Sequence, residues 1–521
     1  MSQAPSDLPA NPAGPSANDN AAPSQSSGST IQVHTRKQIA RTYDYRLMPI
    51  LFLAFLFFFL DKSNIAFARI HGLELDLQLE QYQFNIALVL FFVPNFIFNI
   101  PGNLLLRWVG GARWLSCLIF VWGVVTFCTA FIENIRGLYV TRIFLGIAES
   151  SFLGGALIYL GFFYSQDELI MRIGLLYAAS PLAGFLGGFI AGGLSRIDTE
   201  FPVNGFSRWP WIFLAEGAAT IVLGLLAFWL LPNTPAQFLR GKGMDASIER
   251  PLPSATPVED AGAAKNTALA LDHNDRLSAK LFKRAIFNPM TIIMAVGAFF
   301  SIEAIYSYAL FLPTIIHTMG FRALTASLMT APPNFIGFVG TLIVCYRSRK
   351  SGLTGSYLTA CSFVGCLGFL FLLVGGLTGE PGDRTTIILQ YLGTFFVSGG
   401  VHPLPPLALT WLHINMSPHY VRAIALGFVF TVGNLAPFLA SFTYIRSEAP
   451  AYARGHAINL GCLIGLFLIS IATPWWMRNE NAKRDDGDRN YRMDNVRWQG
   501  RPREQYEREL GCLHPDFRYK I

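Results

Sequence analysis

The sequence predicts an all-α polytopic membrane protein with about 12 spanning helices in two six-helix halves. Three observations lead there. Only 14% of the 521 residues are charged and 52% are hydrophobic, whereas a soluble domain carries roughly 25% charged residues. Apolar segments of about 20 residues, the length that crosses a bilayer as a helix, recur along the chain. Cations gather on every second loop between those segments, the pattern of loops retained on the cytoplasmic side.

The elements follow in order. The first 30 residues are Ala, Pro, Ser, Asn and Gly with almost no charge, so 1–46 is expected to be a disordered cytoplasmic tail. It lacks the cationic start and apolar centre of a cleavable signal peptide. Spans are expected near 47–64, 84–106, 113–132, 138–160, 171–194 and 211–231, an N-terminal half over 47–232. Residues 233–285 are rich in Pro, Ala and charge ("RGKGMDASIERPLPSATPVEDAGAAKN") and read as a cytoplasmic linker. Its end, "LSAKLFKRAIF", has the pattern of an amphipathic surface helix. The C-terminal half, 286–477, holds spans near 289–312, 326–346, 353–377, 385–412, 421–444 and 457–477, and 478–521 reads as a charged cytoplasmic tail.

A net charge of +7 raises the question of nucleic acid, and its placement answers it. Arg36, Lys37, Arg41 and Arg46 precede the first span; Arg107 and Arg113 bracket the turn after the second. Arg347, Arg349 and Lys350 follow the eighth span, and Arg478, Lys483 and Arg484 follow the twelfth. The alternate loops mix signs, as in Glu74 and Asp76, or Asp198, Glu200 and Arg208. The basic balance therefore records orientation in a lipid bilayer, with both termini cytoplasmic, and no nucleic-acid partner is expected. The seven cysteines fall mostly within spans or the tail and imply no disulfide framework. No HExxH, no GxSxG and no phosphate-cradling glycine loop occurs, and His413 and His419 match no metal-ligand spacing. Neither an enzyme, a cofactor nor a metal is expected.

The halves echo each other weakly: "IPGNLLLRWVGGAR" at the end of the second span and "APPNFIGFVGTLIVCYRSRKSG" in the eighth. Two six-span halves joined by a linker are the major-facilitator plan, which places substrate near the midplane between the halves. The motifs "LDKSN" (60–64), "IPGNLLLRW" (100–108), "RIFLGIAES" (142–150), "WPWIFLAEG" (209–217), "YSYALFLPTII" (306–316), "TWLHINM" (410–416), "VGNLAPF" and "EAPAYARGH" together resemble the fungal allantoate-permease family. That family belongs to the anion:cation symporters of the major facilitator superfamily. The resemblance implies proton-coupled uptake of a small organic anion such as allantoate, nicotinate or another carboxylate vitamin, by a monomer in the plasma membrane. Two other readings keep part of this picture: an exporter of a fungal secondary metabolite, or a nutrient-sensing transceptor whose linker and tail bind partners.

Ionisable groups inside spans are costly and face a cavity or a partner. Asp61 and Lys62 interrupt an apolar run near the outer end of the first span; they form either an interfacial pair reaching water or part of the substrate pathway. The resemblance implies that most relatives carry Arg where Lys62 stands, so the cation survives here without the planar fork that grips a carboxylate at two points. The adjacent pair diverges by about 100°, which sends Lys62 toward the cavity and Asp61 toward a neighbouring span or the outer surface. Arg142 and Glu149, seven residues apart on the fourth span, share one face. They are a structural ion pair, or Arg142 attracts the anion while Glu149 takes the proton, as the resemblance implies. Asn64, Tyr308 and His402 complete the expected substrate set, and Glu303 and Asp61 join Glu149 as candidates for proton coupling. Histidine titrates near pH 6.5, suited to a proton-linked carrier, although a buried His also serves simply as a packed hydrogen-bonding residue. Gly184, Gly188 and Gly192 are expected to allow close helix approach. Glu216 with Trp209 and Trp211 reads as an interfacial belt. Arg107, Arg113 and Arg347 are assigned to cytoplasmic gating turns.

Overall fold

Twelve helices long and apolar enough to cross a bilayer dominate the computed structural model, and no strand occurs among the described residues. Those residues are 26–80, 82–164, 166–197, 208–235, 238, 279–378, 383–417, 419–494 and 510–521. The spans are Gln38–Asp76, Gln83–Leu106, Gly111–Thr129, Ile135–Phe163, Met171–Leu194 and Pro210–Leu230. They resume with Pro289–Thr318, Ala323–Ser351, Thr354–Thr378, Arg384–Asn415, Val421–Thr443 and Ala453–Asp485. Each overlaps a segment expected from hydropathy. This is a multi-pass integral membrane protein.

The largest departure is in the first span. Its helix does not stop at Asp61 and Lys62 but runs on to Ala68 and through a π-helical turn, Arg69–Leu73. The turn bends where Gly72 adopts φ +109°, a conformation that other residues rarely enter. Asp61 and Lys62 therefore lie inside the span. The same helix begins at Ser26, within the stretch expected to be disordered. Ile39, Tyr43 and Leu47 recur every four residues and are all buried, and Tyr43 packs edge-on to Phe163 at 5.2 Å. Residues 1–25 and nearly all of the expected linker lie outside the described residues; the helix Ala279–Ile286 occupies the linker's end.

Glycines set the closest helix approaches. A Cβ built on Gly217 of the sixth span would lie 2.4 Å from the backbone nitrogen of Phe127 on the third. Across the halves, one on Gly188 of the fifth span would lie 2.5 Å from the Ser327 carbonyl on the eighth, so the glycine stripe does serve close packing. Further contacts join the halves on the face opposite the termini. His71 Nε2 and Ser327 Oγ lie 2.9 Å apart, and Asn85 Nδ2 donates to the carbonyls of Ser441 (2.5 Å) and Tyr444 (3.2 Å).

The C-terminal tail is not simply a solvated charged segment. Residues 510–521 lie against the ends of the seventh, tenth and twelfth spans, with Leu510, Cys512 and Tyr519 buried. Asn415 Nδ2 and Trp411 Nε1 both donate to the Lys520 carbonyl, and the Lys520 N–H returns a bond of 2.7 Å to Asn415 Oδ1. Asn481 makes a similar two-way pair with Tyr519, and the Arg484 guanidinium donates to the carbonyls of Phe517 and Cys512. Hydropathy missed this strap because it docks through backbone carbonyls rather than through a long apolar run. Ending the chain after residue 509 should lower the melting temperature in detergent by several degrees, since each of these bonds is worth about 1 kcal/mol. An unchanged melting curve would show that the strap is not held.

Candidate functional site

Five ionisable side chains gather inside the first half. Lys62 and Asp61 come from the first span, Arg142 and Glu149 from the fourth, Glu216 from the sixth. Lys62 Nζ lies 3.8 Å from Glu149 Oε2, 3.3 Å from the Tyr306 hydroxyl of the seventh span, and 3.6 Å from the centre of the Phe58 ring. A desolvated ammonium over an aromatic face is held electrostatically. Arg142 faces both Asp61 and Glu149 and stacks over Phe213 at 5.6 Å, while its Nε has no hydrogen-bond partner. Asp61 takes a long bond of 3.4 Å from Asn64 Nδ2 and lies beside Trp122 and Thr126 of the third span. Neither oxygen of Glu149 nor of Glu216 has a hydrogen-bond donor. Buried charges are normally both paired and hydrogen-bonded, so this cluster is under-satisfied. Its cations are available to something else.

That availability opens onto a cavity between the halves. The first half contributes Lys62, Tyr177 and Ser180, and the second contributes Tyr306, Asn334 and His402; the cavity volume is about 110 Å³. A second, smaller pocket is lined by Asp61, Lys62 and Arg142 together with Phe91, Phe92 and Leu310. Lys62 belongs to both. It is the wall between the cavity and the buried cluster. An anion in the cavity meets Lys62 first, with Arg142 behind it.

His402 stands where the tenth span changes from one helix to the next, between Val401 and Leu404. Pro403 lacks an N–H and breaks the ladder there. His402 Nδ1 lies 2.9 Å from the Ser398 carbonyl, and its ring packs edge-on to Tyr308 at 5.9 Å.

The expected residues are thus only partly brought together. Lys62, Arg142, Glu149, Asp61 and Asn64 share one cluster, and His402 reaches the same cavity from the opposite wall. Lys62 faces the cavity and Asp61 a neighbouring span, as their 100° divergence requires. Tyr308 donates to the Thr394 carbonyl at 3.2 Å and approaches the cavity through His402. Tyr306, two positions earlier and so about 200° around the helix, is the tyrosine that lines it. The seventh span presents Ile302, Ile305, Tyr306 and Ala309 to the cavity. Glu303 instead accepts from the Thr443 hydroxyl at 2.7 Å, within the second half. Arg113 and Arg347 are exposed at span ends; the side chain of Arg107 lies outside the described residues.

Glu216 and Trp209 require a correction. Both are buried, at 3% and 0% exposure, and Trp209 Nε1 donates to Asp76 at 2.8 Å, so they do not form an interfacial belt. The first span's extension beyond Phe67 reaches Trp209 through Asp76, while Glu216 faces Asp61 and Asn64 of the same span. Glu216 was the functional candidate least visible in the sequence, because its place on the sixth span looked peripheral. Its only signal was a carboxylate inside an apolar run ("WIFLAEGAATIVLG").

Comparisons with known proteins agree with this architecture. The pattern of the Major Facilitator Superfamily matches residues 51–441. An uncharacterized transporter of Schizosaccharomyces pombe is 29% identical over 495 residues, 94% of this chain and 95% of that protein. The major facilitator-type transporter hxnP of Emericella nidulans is 28% identical over 462 residues, 87% of this chain and 88% of that protein. Among solved structures, a D-xylose-proton symporter superposes with a TM-score of 0.62 at 14% identity, covering 82% of this chain and 97% of its own. A nucleoside transporter superposes at 0.54 with 13% identity, covering 82% and 99%.

Proposed function

The chain belongs to the major facilitator superfamily, a family of transporters and not of enzymes, and on that premise we propose that it is a proton-coupled symporter of a small organic anion. One observation carries the reading: Lys62 forms the cavity wall and has a buried carboxylate, Glu149, as its ionic partner. A substrate carboxylate and the Glu149 carboxylate are alternative partners for one ammonium. When Glu149 takes a proton, Lys62 is released to bind the anion; when the anion leaves, Glu149 must ionise to compensate Lys62 again. Binding of anion and proton is thereby linked through a single cation. Arg142 behind Lys62 adds a second cation, and the polar wall formed by Tyr306, Asn334 and His402 offers hydrogen bonds to the rest of the cargo.

The motif resemblance supports an allantoate-permease type of substrate and a monomer in the plasma membrane, and the placement of cations supports cytoplasmic termini. Tags at residues 2 and 521 should be protected from protease in intact cells, while a tag between residues 195 and 208 should be cleaved. Function is tested in liposomes reconstituted with the purified chain, using labelled nicotinate, allantoate, pantothenate and biotin with a pH gradient imposed in either direction. Accumulation driven by inward proton flow is expected for at least one of them. Accumulation only against that direction would support export, and none in either direction would remove the reading.

A further inference from the structure

The cluster does not balance. Three buried carboxylates, Asp61, Glu149 and Glu216, stand against two cations, Lys62 and Arg142, and one negative charge is left over. Lys62 serves Glu149, and Arg142 lies toward Asp61 and Glu149. No cation among the described residues serves Glu216. It is 3% exposed, and neither of its oxygens has a hydrogen-bond donor. The groups facing it are Asp61 and Asn64, both of the first span. The third span, packed closely along the sixth, has no acid or base among its buried residues. The fifth span's Ala179–Leu194 segment, which also packs there, has no ionisable residue. Arg142 of the fourth span reaches Phe213, one turn earlier on the sixth span. An unpaired carboxylate inside hydrocarbon is more stable with a proton than without one.

We propose that Glu216 is a proton-binding site of this protein, a neutral acid in the resting state that exchanges its proton directly with Asp61, the two carboxyls being held side by side by the Asn64 amide. Protonation cancels the surplus charge and leaves two carboxylates against two cations, with one neutral acid. It also resolves a hydrogen-bonding deficit: Asn64 Oδ1 is buried without a donor, and a carboxylic acid supplies an O–H. The Asn64 amide already donates to Asp61, so it touches both carboxyls of the pair. When Arg142 turns from Asp61 toward an anion, the proton of Glu216 has a second seat on Asp61. Transfer breaks the Glu216 O–H bond and forms one on an Asp61 oxygen, leaving Glu216 ionised and Asp61 neutral, so the pair's total charge is unchanged. Glu216 thereby extends the proton-coupled reading to a second carboxylate, although its test needs no transport.

The test is infrared spectroscopy of the full chain in phosphatidylcholine liposomes at neutral pH, with no substrate present. The spectrum of the protein minus that of Glu216→Gln should contain the C=O stretch of a buried carboxylic acid. The corresponding difference for Glu480→Gln, a carboxylate paired with Arg484, Arg489 and Arg492 outside the cluster, should lack it. Should Glu216→Gln fail to fold, the Glu303→Gln variant labelled with ¹³C-carboxyl glutamate provides the same information. Its acid band should move to lower frequency on labelling. A difference spectrum with no acid band, or a band that ignores the glutamate label, overturns the proposal. Loss of transport by these variants would bear on the symport reading alone, so the two can fail separately.

Discussion

Replacing Lys62 with Ala should lower kcat/KM for an anionic substrate roughly 100-fold, with little change in the amount of protein at the membrane. Two effects act together. The cavity loses its first cation, and Glu149, 3.8 Å away, loses its ionic partner. Removing the cation from a buried anion–ammonium contact costs about 3 kcal/mol of binding, which corresponds to that factor. Much of the loss should be in KM, because the ammonium is used to bind the anion. Lys62→Arg should instead retain transport, since the charge survives and a planar fork suits a carboxylate. The Phe58 ring, 3.6 Å from the ammonium, accepts a guanidinium equally well. Initial-rate kinetics normalised to surface protein distinguish these outcomes. Normal transport by Lys62→Ala would reduce Asp61 and Lys62 to structural charges.

Glu149→Gln should separate transport from its driving force. In the wild type, uptake should rise as external pH falls, because a proton on Glu149 frees Lys62 for the anion. The Gln variant mimics the protonated acid permanently. Lys62 is then always free, so exchange of labelled for unlabelled anion should persist, while accumulation driven by a pH gradient should be lost. Glu303→Gln should retain gradient-driven accumulation, because Glu303 accepts from Thr443 within the second half and does not meet the cluster. Measuring counterflow and gradient-driven uptake in parallel checks both statements. A Glu149→Gln protein that still accumulates substrate with an unaltered pH profile would take the carboxylate out of the coupling step.

The contrast between these two glutamates shows where sequence reasoning reaches its end. Both sit in apolar runs, and both look equally misplaced in a bilayer. Their sequence neighbourhoods do not say that one meets a lysine from another helix and the other a threonine. The same is true of Tyr306 and Tyr308, two residues apart in "YSYALF". A helix with polar residues on one side of an otherwise apolar cylinder leaves its rotation undetermined until neighbours pack against it. Glu216 lay further from reach, since its place inside depends on Asp61 and Asn64 of the first span packing against the sixth.

The sequence by itself determined the membrane class, the twelve spans and the ionisable residues buried within them. Those are local properties: a bilayer demands about 20 apolar residues per crossing, and a charge among them is conspicuous wherever it occurs. The tertiary structure alone decided which charges meet. It set Lys62 against Glu149, placed Asp61, Asn64 and Glu216 in one group, turned Tyr306 to the cavity and docked the last residues of the tail. Those are contacts between helices distant in sequence, and they depend on azimuth and on neighbour identity. In a solvent as apolar as the side chains themselves, burial does not select one face of a helix over another, so hydropathy carries little record of them.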